Sequence, residues 1–211
     1  MTGELCCLHP GGLNFTEYLV KTAHLECGES VLDAGCGDGA SVNWLRNQGY
    51  NACGIDRSPG VIEAWIQQGE LQELPYDDSC FSAVLSECTA FICGDTDAAL
   101  QQYYRVLKNS GWLLLADVFF KEDYPLPEFD DKRPVTEQQW RILLQKNGFE
   151  IYKMEDVSEA WKPFVIEQLW AGRTIEELWG GCLAKGQIKP SQYRPGYFLI
   201  WARKKGAGSD E

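Results

Sequence analysis

Residues 31–39 read Val31-Leu32-Asp33-Ala34-Gly35-Cys36-Gly37-Asp38-Gly39. An apolar run enters a stretch with glycine at every second position, and a helix-like segment follows. Glycine is required where the backbone takes positive φ or lets a ligand approach closely. A G-x-G-x-x-G spacing would suit the pyrophosphate of a dinucleotide. Here the spacing is G-x-G-x-G, flanked by the acids Asp33 and Asp38. Carboxylates beside the loop repel a pyrophosphate and suit a cation such as a sulfonium amino acid. Asp56 closes the next apolar run, where a carboxylate can accept both hydroxyls of a ribose. Glu70, in Gly69-Glu70-Leu71-Gln72-Glu73-Leu74-Pro75-Tyr76, stands where an acid can accept a hydrogen bond from an adenine amino group.

These residues need elements to position them. The pattern predicts strands at Glu29–Ala34, Asn51–Asp56, Phe81–Ser86, Trp112–Val118, Phe149–Glu155 and Tyr197–Arg203. Helices are predicted at Ala40–Gln48, Pro59–Gln68, Asp95–Leu107 and Thr136–Lys146. Ser58 would cap the second of them, with Pro59 in its first turn. Thr136 would cap the last, and Asn147-Gly148 would close it. Alternation of this kind points to a doubly wound, mostly parallel α/β sheet. Met1–Cys27 and Trp161–Lys189 stand outside the rhythm; the second reads as one or two helices. Both are expected over the carboxyl ends of the strands. The expected organisation is one domain over 1–205: an N-terminal lid at 1–27, a cofactor-binding core at 29–155 and a helical cap at 158–190. A disordered tail is expected at 206–211.

Composition narrows the function. The chain has 211 residues and 45% hydrophobic content, enough for a real core. It lacks the ~20 apolar residues that span a bilayer. Met1-Thr2-Gly3-Glu4 lacks the basic start of a secretory signal. The expected location is therefore the cytoplasm, with no membrane partner. The net charge is −12, and residues 1–120 carry 16 acids against 5 bases, or −11. Such a surface repels phosphate backbones, so no nucleic-acid partner is expected. Nine cysteines without a C-x-x-C pair argue against a disulfide framework and a structural zinc site. No metal is expected, and most thiols read as small buried hydrophobes.

Over roughly residues 29–155 the chain resembles the class I methyltransferases that use S-adenosylmethionine. Asp33-x-Gly35-x-Gly37-x-Gly39 matches the family's first motif, and Gly54-Ile55-Asp56-Arg57-Ser58 its second. Gly69-Glu70 to Leu74-Pro75-Tyr76 looks like G-D-A-x-x-L-P-F, and Phe81-Ser82-Ala83-Val84 like F-D-x-V. Arg105-Val106-Leu107-Lys108-Asn109-Ser110-Gly111 looks like R-V-L-K-P-G-G. The resemblance implies a Rossmann-like, mostly parallel seven-stranded sheet with helices on both faces and a helical lid. It implies that Gly35 and Gly37 face the methionine part, with Asp33 near its ammonium and Cys36 and Asp38 in the same loop. Asp38 reads equally as a charge at a helix N-terminus. Asp56 would hold the ribose, Arg57 would pack over the adenine, and Glu70 and the Leu71 backbone would read its edge. Ser86, Glu87 and Cys88 would lie beside the sulfonium. Glu70-Leu71 departs from the usual Asp-Ala, and Asn109-Ser110 from Pro-Gly.

The reading of the acceptor is open. The acidic charge favours a small molecule, or a cationic or neutral one, and the expected assembly is a monomer or homodimer. A general base is needed only if the nucleophile carries a proton; Glu87, His9 and Tyr124 are candidates. Cys88 reads as a buried small residue, or as a ligand for a soft acceptor such as an arsenite-like metalloid or thiol. Cys6-Cys7-x-His9 allows the same two readings. His24 reads as structural, whereas His9 precedes a Pro10-Gly11-Gly12 turn that can fold over a cofactor. Trp161, Phe164, Trp170 and Trp179 suit helix packing or an aromatic acceptor pocket. An NAD-type oxidoreductase lacks its G-x-G-x-x-G, and a non-catalytic cofactor-binding module is the remaining rival.

Overall fold

A computed structural model describes residues 9–127, 133–174 and 193–206. Seven strands form one sheet: β1 (Ser30–Ala34), β2 (Asn51–Asp56), β3 (Ile66–Gln68), β4 (Phe81–Glu87), β5 (Leu107–Phe120), β6 (Phe149–Asp156) and β7 (Pro195–Lys204). Their order is β3-β2-β1-β4-β5-β7-β6. Strands β1 to β5 pair in parallel, and β7 runs antiparallel between β5 and β6. Among the described residues the α-helices are α1 (Leu13–Thr22), α2 (Ala40–Asn47), α3 (Thr96–Val106), α4 (Glu137–Lys146) and α5 (Trp161–Trp170). The sheet is the expected one, with an antiparallel strand near one end.

The core follows from the apolar runs. Every residue of β4 is buried, as strands covered on both faces must be. Burying each large aliphatic side chain contributes roughly 1.5–3 kcal/mol. Trp140, Trp201, Tyr103 and Tyr197 fill the largest interior spaces. The Thr136 cap matches the sequence reading, while Asp95, expected as the first residue of its helix, is instead the cap before it. Asp95 accepts from the Ala98 amide at 3.0 Å, and Thr136 forms a capping box with Gln139.

One predicted element is absent. Pro59–Gln68 is not a helix; it is a loop with a tight Glu63–Ile66 bridge, ending in β3. Nine residues separate β2 from β3, too few for a crossover helix, which needs about 10–12 residues or more in all. The exposed edge of β2 takes the segment instead, pairing Gly54–Asp56 with Ile66–Gln68. The Ser58 amide donates to Asp56 Oδ1 at 2.8 Å, so the supposed cap is a turn held by the preceding Asp. The Arg46 guanidinium covers the Trp65 ring of this loop at 4.2 Å.

At the margins, the N-terminal helical run is α1, and the second helical region holds α5 up to Trp170. Cys6, Cys7, Trp179, Cys182 and nearly all of the expected tail lie outside the described residues. Among those residues, no helix is long and apolar enough to cross a membrane.

Candidate active site

The carboxyl ends of β1, β2 and β4 meet at one rim, the usual ligand position in an open α/β sheet. The β1–α2 bend is built by three glycines in the left-handed region: Gly35 at φ 95°, Gly37 at 53° and Gly39 at 81°. A Cβ on Gly35 would stand 2.2 Å from Thr89 Cγ2, so no side chain fits there. A Cβ on Gly37 would meet nothing within 4 Å. The bend thus presents bare backbone to open space at Gly37. The amides of Gly35 and Cys36 both donate to the Ile55 carbonyl, at 2.7 and 3.1 Å, which ties the bend to β2.

Asp33 sits under this bend and is 3% exposed. Among the described residues no group donates a hydrogen bond to its carboxylate. Burial pushes its pKa well up, and the neighbouring charges of Glu87, Asp56 and Asp38 add to the rise. The three charges acting on it are all acidic. A buried carboxylate in this state is relieved by a cation, and a sulfonium with an ammonium fits the carboxylate acceptors present. Asp56, at the end of β2, accepts from the Gly37 amide at 3.0 Å on Oδ2 and from Ser58 on Oδ1. A carboxylate has about four lone-pair positions, so two remain for diol hydroxyls. Asp38 Oδ1 accepts from the Ala40 amide at 3.2 Å, which makes it the charge at the α2 N-terminus.

The other expected contacts separate. Leu71 is buried at the rim, while Glu70 and Arg57 are exposed beside it. Cys36 points its sulfur into the core toward Gly54 and Val42, and burial raises its pKa. Its backbone, not its thiol, belongs to the bend. Ser86 is fully buried, with its hydroxyl 3.3 Å from the Tyr103 hydroxyl on α3. Strand alternation turns it away from the side that Glu87 faces. Cys88 takes φ 55° and donates through its thiol to the Tyr197 hydroxyl at 3.3 Å. Among the described residues no group of His, Cys, Asp and Glu side chains could hold a metal ion.

Glu87 is the hub of a buried polar group. Its Oε2 accepts from Thr16 at 2.8 Å and more weakly from Ser41 at 3.4 Å, and lies 3.6 Å from His9 Nε2. Its Oε1 and His9 Nε2 are both buried without a hydrogen-bond partner. Tyr124 stands apart: it is 46% exposed, beneath the Arg194 guanidinium at 5.3 Å. His24 is exposed just past the end of α1. Trp161 and Phe164 pack 6.1 Å apart, and Trp161 lies 6.3 Å from Tyr197, whereas Trp170 is 89% exposed.

Sequence reading missed Thr16, Ser41, Tyr197 and Asp117. Asp117, on β5, is fully buried; its carboxylate accepts from the amides of Phe91 at 2.9 Å and Val118 at 2.8 Å. It holds the segment after β4 in place. An acid inside the apolar run Trp112–Phe120 was the available signal.

Comparison with known proteins agrees with this geometry. A family model described as a methyltransferase domain matches residues 32–115. An uncharacterized methyltransferase of Bacillus subtilis, YodH, is 31% identical over 163 residues, covering 67% of this chain and 69% of the relative. A malonyl-[acyl-carrier protein] O-methyltransferase of Serratia marcescens is 30% identical over 97 residues, or 42% of this chain and 38% of that one. A phosphoethanolamine N-methyltransferase of Haemonchus contortus, solved with S-adenosyl-L-methionine, superposes with a TM-score of 0.69 at 20% identity. That match covers 94% of this chain and 54% of the other, and it shows the fold alone. The glycine bend, the acids around it, the sheet order and the YodH likeness together make the chain a member of the class I S-adenosylmethionine-dependent methyltransferases.

Proposed function

We propose that this protein methylates a small-molecule acceptor in the cytoplasm, holding S-adenosylmethionine across the rim of β1, β2 and β4. The observation that carries the reading is Asp33: a buried carboxylate, ringed by acids, beside a bend of bare backbone. Asp33 takes the cofactor ammonium, and the Gly35 and Gly37 backbone approaches its methionine part. Asp56 takes the ribose. Arg57, Glu70 and the Leu71 backbone lie where the adenine would end, and the Cys36 and Asp38 backbones complete the loop. When bound, the cofactor supplies a methyl group on a sulfonium whose leaving group is a neutral thioether. The chain's task is to orient the nucleophile and exclude water, which can supply roughly 7–11 kcal/mol of the barrier.

Several features support the finer points. The described cysteines are free thiols, which suits a reducing compartment. The net charge of −12 disfavours nucleic acid as acceptor. A monomer or homodimer fits the chain's size.

Calorimetry with S-adenosylmethionine tests the site. Asp56→Ala and Asp33→Asn each abolish measurable binding while the circular dichroism spectrum stays native. Micromolar affinity retained in both variants would remove the assignment.

A further inference from the structure

A cleft of about 540 Å³ opens between the turn before α1 and helix α5. Leu13, Pro163 and Phe164 give it an apolar wall. His9 and Gln168 give it polar groups, and they are only 7% and 4% exposed. Gln168 is the one buried residue of α5, although most of that helix is apolar. The fold therefore turns an amide inward here and leaves Ile166 and Leu169 at 45% and 41% exposure. His9 belongs to two neighbourhoods at once. It lines the cleft, and its Nε2 stands 3.6 Å from Glu87 Oε2. Nε2 and Glu87 Oε1 are both buried and unpartnered. Buried polar atoms are seldom left unpaired in a fold, so this pair is suited to meet a ligand atom.

Charge decides what kind of ligand. Among the described residues no lysine or arginine lines the cleft, and Glu167 does. The charged side chain beside His9 is the acid Glu87, 3.6 Å away. Among the described residues of the cleft, a carboxylate or phosphate would meet no counter-charge. A hydroxyl or amine would donate its proton to the orphaned atoms.

We propose that this cleft binds the methyl acceptor, and that the acceptor is a neutral or cationic molecule whose nucleophile is an alcohol-type O–H or an amine N–H, not a carboxylate or phosphate. The inference rests on the methyl-transfer reading above. In the reaction the nucleophilic oxygen or nitrogen bonds to the methyl carbon. The carbon–sulfur bond breaks with its electron pair left on sulfur, and the proton of the nucleophile passes to the His9–Glu87 pair. Thr16 and Ser41 hold Glu87 for that role.

The chain has two histidines, so the imidazole proton signals of His9 are identified by the His24→Gln variant. The full-length protein, saturated with S-adenosylhomocysteine, is titrated with a fragment library. The library holds size-matched alcohols, amines, carboxylates and phosphate monoesters. Alcohols and amines should shift the His9 signals, with carboxylates and phosphates weaker by roughly ten-fold or more. Gln168→Ala should weaken the bound alcohols and amines by roughly ten-fold and leave S-adenosylhomocysteine affinity unchanged by calorimetry. Carboxylates binding as tightly as alcohols would overturn the proposal. So would a library in which no fragment moves His9 while cofactor affinity is intact, or a Gln168→Ala protein that binds as wild type. If the wild-type protein binds no S-adenosylhomocysteine, the methyl-transfer reading itself fails and the proposal falls with it.

Discussion

Asp117 shows how one buried acid couples the site to pH. Desolvation pushes its pKa up to about 7, and the amides of Phe91 and Val118 pull the other way without winning. In the unfolded chain the same carboxyl ionises near pH 3.9. Between those values the fold holds a proton that the unfolded chain has lost, so this residue's contribution to stability falls as pH rises from about 4 to about 7, then levels. Urea denaturation of Asp117→Asn should show a shallower decline than wild type across that window; parallel curves would discard the assignment. Thr16 gives a second expectation. Its hydroxyl donates to a carboxylate that is 8% exposed, so Thr16→Val should cost about 1.5–3 kcal/mol in the same assay. At this scale the sequence was partly legible. Glycines and acids within one nine-residue stretch reveal themselves by spacing. The partners Thr16 and Glu87 are 71 positions apart, and nothing in either neighbourhood announces the other.

Elements were easier to read where one force dominated. Runs such as Phe81–Glu87 and Trp112–Phe120 are so apolar that only a covered strand accommodates them. The Thr136 cap was legible because it is local: its hydroxyl acts on the amide three residues ahead. The segment after Asp56 was misread because local and tertiary demands conflict there. Ser58-Pro59 is a good helix start, but the unpaired edge of β2 and a nine-residue span favour a strand. Arg105 shows what a motif residue does structurally. Its guanidinium donates to the carbonyls of Leu74 and Tyr76, both at 2.7 Å, and pins the loop that follows Glu70 and Leu71. For the caps, Thr136→Ala should lower stability by about 1 kcal/mol and Thr136→Ser should restore most of it. Equal loss in both variants would show that packing, not the hydrogen bond, is at work.

For the molecule as a whole, acidic charge is the dominant electrostatic feature. The net charge of −12 is concentrated in the half that carries β1 to β4. Self-repulsion should therefore be relieved by salt. The melting temperature should rise between about 20 and about 200 mM sodium chloride, where the screening length falls through roughly 10 Å. A flat or falling trend would show that the acids are already compensated. The placement of β7 has a different consequence, one for biosynthesis. It pairs with β5 from Trp112–Arg203 to Phe120–Pro195 on one side and with β6 on the other. Its Trp201 indole donates to the Leu19 carbonyl of α1 at 2.9 Å. Two strands and the earliest helix thus wait for a latecomer from the ribosome, and until it arrives their raw edges invite self-association. Appending cargo beyond Lys204 should be harmless, whereas cutting ahead of Pro195 removes the keystone.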